Sequence, residues 1–369
     1  MGRHSADDAP RSAFFREDGE PIKKYLLIPQ ASPVDYTVKI LIGGKANLAS
    51  IADRVDTNRQ SDRQKVTGKF DDKGAFYFFV KSAAESFTIY VKDPDLIKSQ
   101  KSPTVKVFLL LCYLINAKLR TRGGDLKDFT IEFPVSDLVK MGVFAQSVAK
   151  RTLVGSLKAI QTVFYYGDRY HGKKKLTQGK PSNLVEGFKV DNGICVVEVN
   201  PNINFRFLAG YITPLPFWAF ALPNNKAFGM MWSVFYFGRQ RVQSVAINRG
   251  FSVPMRTMQN RMMLPAKSKN PKRDVLNPVE ESVQAINAFA LDREEQEEIR
   301  LEVGYDYSIP EKKAMDKRGS YQEYEPRTKG TCFDLDHAFV NVRLGGQYGG
   351  YLSRLYKSES CEDSLEGYE

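Results

Sequence analysis

The side chains of this chain whose types and spacing could do chemistry are cations and amides. Gln146, Ser147, Lys150, Arg151 and Lys158 share one stretch, and a helical period sets Ser147, Lys150, Arg151, Val154 and Lys158 opposite an apolar stripe of Leu153, Leu157, Ile160 and Phe164. Such a face suits a polyanion. Arginine and lysine pair with the groove edge of guanine, and any of these cations can neutralise a phosphate. Lys173, Lys174 and Lys175 follow at an expected hairpin tip beside His171. A third group, Lys267, Lys269, Lys272 and Arg273, lies in an expected loop, with Arg256 and Arg261 on the segment before it.

Catalytic and metal chemistry finds no comparable support. The three histidines, His4, His171 and His337, have neither metal-ligand spacing nor a nucleophile partner. Gly43-Gly44-Lys45 lacks the spacing of a phosphate-binding loop, and no Walker A run occurs. The carboxylates from Asp292 to Glu298 read as a solvated helix face. The expectation is a binding protein with no enzyme activity, cofactor or metal. Four widely spaced cysteines (Cys112, Cys195, Cys332, Cys361) suit a reducing compartment, with Cys112 and Cys195 in the core. The start of the chain is charged, without a signal-peptide pattern, and the run 107–115 is too short to span a bilayer, so the expected location is cytoplasmic, with nucleoid or plasmid, and no membrane partner is expected.

Charge distribution says more than total charge. The formal net charge is +11 over 369 residues, and between Glu198 and Asp274 there are eleven Lys or Arg but no Asp or Glu. The chain's average would place roughly nine acids there. Repulsion of a polyanion is the simplest reason to exclude them.

Several elements must position these groups. A strand at 129–133, a short helix at 134–141, a turn at 142–144, a helix at 146–163 and a strand at 163–166 lead into the lysine tip. The chain then returns as a strand at 193–199. With an apolar first helix from 105 to 119, this is the outline of a winged helix, whose second helix enters the major groove while the hairpin touches the backbone. The same order recurs at 227–241, 251–253, 254–263, 278–291 and the strands 301–309 and 332–344. Ile131-Glu132-Phe133-Pro134 matches Phe251-Ser252-Val253-Pro254 in pattern.

The expected fold is α+β, two tandem winged-helix domains preceded by a small β-rich region. The expected boundaries are a disordered N-terminus at 1–20, the β-rich region at 21–100, the first domain at 101–200, a proline-bearing linker at 201–224, the second domain at 225–345 and an acidic tail at 346–369. Within the β-rich region, 25–28, 36–42, 75–80 and 87–91 read as strands.

Three stretches carry a resemblance. They are the helix–turn–helix at 134–163, the run Phe-Gly-Met-Met-Trp-Ser-Val-Phe-Tyr-Phe-Gly-Arg-Gln-Arg at 228–241 with Asn200-Pro201-Asn202 and Leu215-Pro216-Phe217-Trp218-Ala219 before it, and Asn277-Pro278-Val279-Glu280-Glu281-Ser282. Over about 100–345 the chain resembles replication initiators of bacterial plasmids and mobile elements, built from two tandem winged helices. The resemblance implies binding of double-stranded DNA at repeated origin sequences, recruitment of host helicase or initiator proteins, dimer–monomer control and no catalytic site. One departure stands out: Glu280 and Glu281 at the expected start of the last helix would repel phosphate. The alternatives are a transcriptional regulator of the same fold, or a winged-helix protein-docking module.

Overall fold

The computed structural model describes residues 12–48, 65–81, 85–97, 103–121, 129–171, 174–178, 181–200, 212–240, 250–265, 268–291, 299–305, 335 and 337–344. Two compact units emerge, Met1–Gly229 and Met230–Glu369. The first begins with β1 (Tyr25–Pro29), α1 (Ser32–Gly43), β2 (Lys65–Phe70), β3 (Phe76–Lys81) and β4 (Glu85–Val91). Then come α2 (Thr104–Thr121), β5 (Thr130–Pro134), α3 (Val135–Lys140), α4 (Ala149–Gln161) and β6 (Val163–His171). β7 (Lys174–Gln178), β8 (Ser182–Asn183), β9 (Val185–Asp191), β10 (Ile194–Val199) and β11 (Ile212–Pro216) complete its strands. Helix α5 (Asn225–Gln240) carries the unit boundary, and β12 (Phe251–Pro254), α6 (Met255–Arg261), α7 (Asn277–Leu291), β13 (Ile299–Tyr305) and β14 (Ala338–Leu344) follow. The class is α+β, as expected.

Each unit contains the same small antiparallel sheet. In the first, β5 pairs with β10 and β10 with β9; in the second, β12 pairs with β14 and β14 with β13. In chain order the strands are therefore arranged first, third, second in both. The strand-ending prolines, Pro134 and Pro254, both serve as extended N-caps of the next helix (ψ 135° and 142°). Proline suits this place because a helix start needs no N–H from it.

The two short helices also end alike. After α3, Gly142 N–H donates to Val139 O and Val143 N–H to Leu138 O, both at 2.9 Å. After α6, Met263 N–H donates to Asn260 O at 3.3 Å and Leu264 N–H to Gln259 O at 2.9 Å. This paired closure requires a left-handed residue, supplied by Gly142 (φ 73°) and by Met263 (φ 54°).

The strand from Val163 does turn back across the expected lysine tip, β6 pairing with β7 with His171 opposite Lys174, but the expected return pairing with 193–199 does not form. β6 instead joins β4, with Val91 opposite Val163 and Glu85 opposite Arg169, in a sheet ordered β2-β3-β4-β6-β7. Its alternation explains the choice: Val163 and Tyr165 are buried, and Tyr165 Oη lies 3.1 Å from Thr37 Oγ1. At Gly167, a Cβ would come 2.4 Å from Phe87 Cα, so only glycine lets the strands approach. The hairpin in the small sheet is β9–β10, closed by Asn192 and Gly193, both at positive φ (48° and 77°), as a two-residue turn between right-twisted strands requires.

Three other expectations change. Residues 36–42 are helical, within α1, which is buried almost all round; periodicity cannot separate a buried helix from a buried strand. Pro33 near the helix start, and Asp35 bridged to Lys39 at 3.3 Å one turn on, favour the helix. Residues 212–222, expected as linker, contribute β11, paired with β1, and a turn in which Trp218, Ala219 and Phe220 are buried. Ser12 onward is held in place, contrary to a disordered 1–20. Its Oγ donates to Asp137 Oδ2 at 2.7 Å and accepts from Phe15 N–H at 2.8 Å, with Phe14 packed on Tyr113 and Phe15 on Phe217. Burying two phenylalanines contributes about 1.5–3 kcal/mol each, enough to hold a short segment. Residues 1–11, the insertion 310–329 and the tail 346–369 lie outside the described residues.

Helix α2 carries a lysine into the interior. Lys106 is buried, its Nζ donating to Leu222 O at 2.6 Å and lying 5.7 Å from the Phe228 ring centre. Burial lowers its pKa from 10.5 to about 8. Between these values the unfolded chain holds the proton more tightly than the native one. The associated stability is therefore present above about 10.5 and is lost as pH falls through about 8. Denaturant unfolding should show a pH slope of at most about 1.4 kcal/mol per unit in that window, and Lys106→Met should remove that contribution; an identical slope in the variant would contradict it. Gly142→Ala should cost about 1–2 kcal/mol from its left-handed backbone. A Cβ there would also meet Ala221 Cβ at 2.9 Å, so an unchanged unfolding midpoint would refute the requirement for glycine.

Candidate nucleic-acid interface

Helix α4 buries Ala149, Leu153, Leu157 and Ile160 and presents Lys150, Arg151 and Lys158 to solvent. Ser156 is also inside, where it accepts from Thr104 Oγ1 of α2 at 3.2 Å. Small side chains at this crossing let the two helices approach and fix the azimuth of α4. The expected stripe is correct except at Phe164, which belongs to β6 and is half-buried. Gln146 and Ser147 are exposed on a single 3₁₀ turn, Gln146–Val148, that leads into the helix. Four of the five sequence-predicted residues of this region thus stand at one continuous helical entry, and Lys158 lies in the last turn of α4.

Its electrostatics are uniform in sign. Neither the 3₁₀ turn nor the first turn of α4 has an acidic residue or a side-chain cap. The partial positive charge of a helix start is therefore not answered by a carboxylate within the helix. Among the described residues, Lys150, Arg151 and Lys158 have no ionic partner. Ordered, exposed donors of this kind can contact base edges and phosphates with little rearrangement.

In the second unit, the corresponding helix starts earlier than its sequence suggests. Asn270 Oδ1 accepts from Arg273 N–H at 3.2 Å, Pro271 follows, and a π-helical turn (Lys272–Leu276) runs directly into α7. The helical entry therefore carries Lys272 and Arg273, while Glu280 and Glu281 lie about two turns in. Glu280 and Glu281 are therefore not at the helix start, whose first turn instead holds a single carboxylate, Asp274. Lys269, Lys272 and Arg273 are exposed, but Arg273 Nε donates to Asp274 Oδ1 at 2.7 Å. That contact holds the Asp274 carboxyl below the usual range, with Ser268 Oγ adding a second hydrogen bond. Arg273 is consequently a partly neutralised cation, and Lys269 and Lys272 carry most of the local charge.

Arg261 is not a surface residue, contrary to expectation. It is 3% exposed, with its guanidinium 4.3 Å from the Tyr236 ring centre and 5.3 Å from that of Phe237, and its Nε donating to Ser233 Oγ at 3.3 Å. A planar cation between aromatic faces packs α6 onto α5 and leaves nothing for a phosphate. Arg256, on the same helix, is exposed. Lys174 and Lys175 lie in β7, paired with His171 and Tyr170 at the edge of the long sheet, instead of on the hairpin of the small one. Lys173 and Lys267 lie outside the described residues.

The hairpin that does belong to the small sheet has its nearest exposed cation at Lys189, bridged to Asp191 at 3.3 Å. The dipeptide Asn192-Gly193 between two alternating apolar runs could have located this turn in sequence. The acid-free interval also changes meaning. Much of it is interior, including Phe217, Trp218, Phe220, Met230, Met231 and Phe235, where a carboxylate would be costly to desolvate. Cys112 and Cys195 are buried, as expected, and burial raises both thiols, that of Cys195 to about 12. Among the described residues no three His, Cys, Asp or Glu groups gather to hold a metal, and no helix is long and apolar enough to cross a membrane.

No protein-family model matches the sequence, and no curated protein matches it. Among solved structures, the crystal structure of Pi initiator protein in complex with iteron DNA matches with a TM-score of 0.38 and 14% identity, covering 66% of this chain and 90% of that one. At that identity and score the likeness decides nothing about this chain.

Arg261→Ala should lower stability by about 2 kcal/mol through the lost ring stacking and hydrogen bond, whereas Lys272→Ala should stay within about 0.5 kcal/mol. Denaturant unfolding of the two variants checks this; equal midpoints would mean that Arg261 does not hold α6 to α5.

Proposed function

We propose that this protein binds double-stranded DNA sequence-specifically through two winged helices, as the replication initiator of a plasmid or integrated element. The carrying observation is the entry of α4, where Gln146, Ser147, Lys150 and Arg151 are exposed together on a carboxylate-free helix start. In this reading Arg151 and Lys150 read base edges, assisted by Gln146 and Ser147, and Lys158 meets the backbone further along.

The shared arrangement of the two units supports a second reading head at Lys269, Lys272 and Arg273, with Arg256 contributing phosphate contact. Duplicated heads suit adjacent or repeated half-sites. Lys173, Lys174 and Lys175 remain in the proposal as phosphate contacts. Host helicase recruitment and dimer–monomer control belong to the same proposal.

Selection of bound duplexes from a random library tests it: a repeat-like consensus supports initiation, and no enrichment defeats the proposal. Arg151→Ala should cost on the order of 1–3 kcal/mol in binding and relax preference at one base position. Lys158→Ala should weaken all sequences alike and reduce the slope of affinity against salt by about one. Binding isotherms at several salt concentrations separate the two; unchanged affinity and preference in Arg151→Ala would remove α4 from the interface.

A further inference from the structure

The long sheet of the first unit has a second face that duplex binding does not use. Strands β3, β4 and β6 turn Phe76, Phe78, Ile89, Val91 and Val163 inward, all fully buried. The residues between them form rows across the strands. In one row Lys69, Tyr77, Tyr90 and Phe164 are successive cross-strand partners; in the next, Thr67, Phe79, Thr88 and Tyr166 are. The Tyr77 and Tyr90 rings lie 4.6 Å apart between centres at 31°, and those of Tyr90 and Phe164 6.0 Å apart at 41°. Phe79 is 40% exposed, and the other four aromatic residues are partly exposed.

An antiparallel sheet with one face toward solvent ordinarily alternates apolar inside with polar outside. Here the outer positions of three neighbouring strands carry five aromatic rings. Cross-strand ring pairs stabilise a sheet, but that benefit does not require a ring as open as Phe79. The surroundings are cationic: Lys69 ends one row, Lys92 follows Tyr90 by two residues, and both are exposed. In backbone register the row beyond Phe79 runs Lys65, Lys81, Ser86 and Asp168. Asp71, whose charge reaches Tyr77, is engaged in its own turn, accepting from Lys73 N–H at 3.0 Å and Ala75 N–H at 2.8 Å.

We propose that this face binds single-stranded nucleic acid, with bases stacking on Phe79, Tyr77 and Tyr90 and phosphates meeting Lys69 and Lys92. Open rings on adjacent strands offer flat surfaces that any base can cover, and ammonium groups at the margin complement the phosphate charge. A second copy of this chain would place these lysines against one another, which disfavours it as the occupant. The binding mode needs unpaired bases, so a duplex bound at α4 does not compete for the same chemistry.

The test uses the full chain with fluorescently labelled oligothymidylate and oligouridylate in anisotropy titrations, beside a labelled duplex. Phe79→Ala should weaken binding of the single strands by roughly 5- to 100-fold while leaving duplex affinity unchanged. Phe79→Leu keeps apolar bulk but removes the ring and should weaken the strands as well. Tyr77→Phe retains the ring and should change affinity by no more than about twofold. Arg151→Ala should affect only the duplex, so failure at the sheet is distinguishable from failure at α4. The oligothymidylate and oligouridylate arms show whether DNA or RNA is preferred. The proposal is overturned if the native chain binds neither strand, if both Phe79 variants bind like the native chain, or if duplex binding falls in parallel. A Phe79 variant that changes the sedimentation coefficient without changing strand affinity would assign the face to self-association.

Discussion

The pairing of β4 with β6 is the constraint on which the first unit depends. β6 leaves α4 almost immediately, and Lys92 N–H donates to Thr162 O at 2.8 Å at the junction. The C-terminal end of the cationic helix is thereby tied to a sheet in which β2, β3 and β4 come from the first quarter of the chain. Its flank is held separately, by Leu153, Leu157 and the Ser156–Thr104 contact against α2. A helix fixed at one end and along one side has a defined exposed face. For the proposed interface this matters because side chains ordered in advance lose less entropy on binding.

The same pairing explains why the region before α2 is part of the first unit. Without β6, the sheet of β2, β3 and β4 would end at the edge of β4, with unpaired N–H and C=O groups. With β6 and β7 added, the edge moves outward to the lysine-bearing β7. On the interior side, Ser12, Phe14 and Phe15 close over Asp137 and Tyr113. Burial raises the Asp137 carboxyl, and the Ser12 hydroxyl partly offsets that effect.

The two units show how one arrangement tolerates different local solutions. At the turn after the short helix, glycine fills the left-handed position in one and methionine in the other. At the helix entry, the first unit uses an uncapped 3₁₀ turn, and the second uses Asn270, Pro271 and a π-helical turn. The conserved quantity is the hydrogen-bonding pattern of the closure and the first-third-second strand order, which sequence comparison of the two halves does not reveal.

What the sequence determined by itself was local. The apolar stripe of α4 and the polarity of its opposite face follow from a 3.6-residue period, and the two strand–proline junctions follow from the fixed backbone of proline. These features need no distant partner, so they were legible, and with them went the placement of Gln146, Ser147, Lys150, Arg151 and Lys158. Partner choice was decided only in three dimensions. Val163, Tyr165 and Gly167 do lead into a local return through β7 and β8, but the other edge of their strand is taken by β4, with Tyr165 buried over Thr37. Arg261 looked like one more cation until Tyr236 and Phe237, a helix away, enclosed it. In both cases the deciding atoms are far off in sequence, and hydrophobic burial and ring stacking depend on what arrives next to a side chain, which periodicity does not encode.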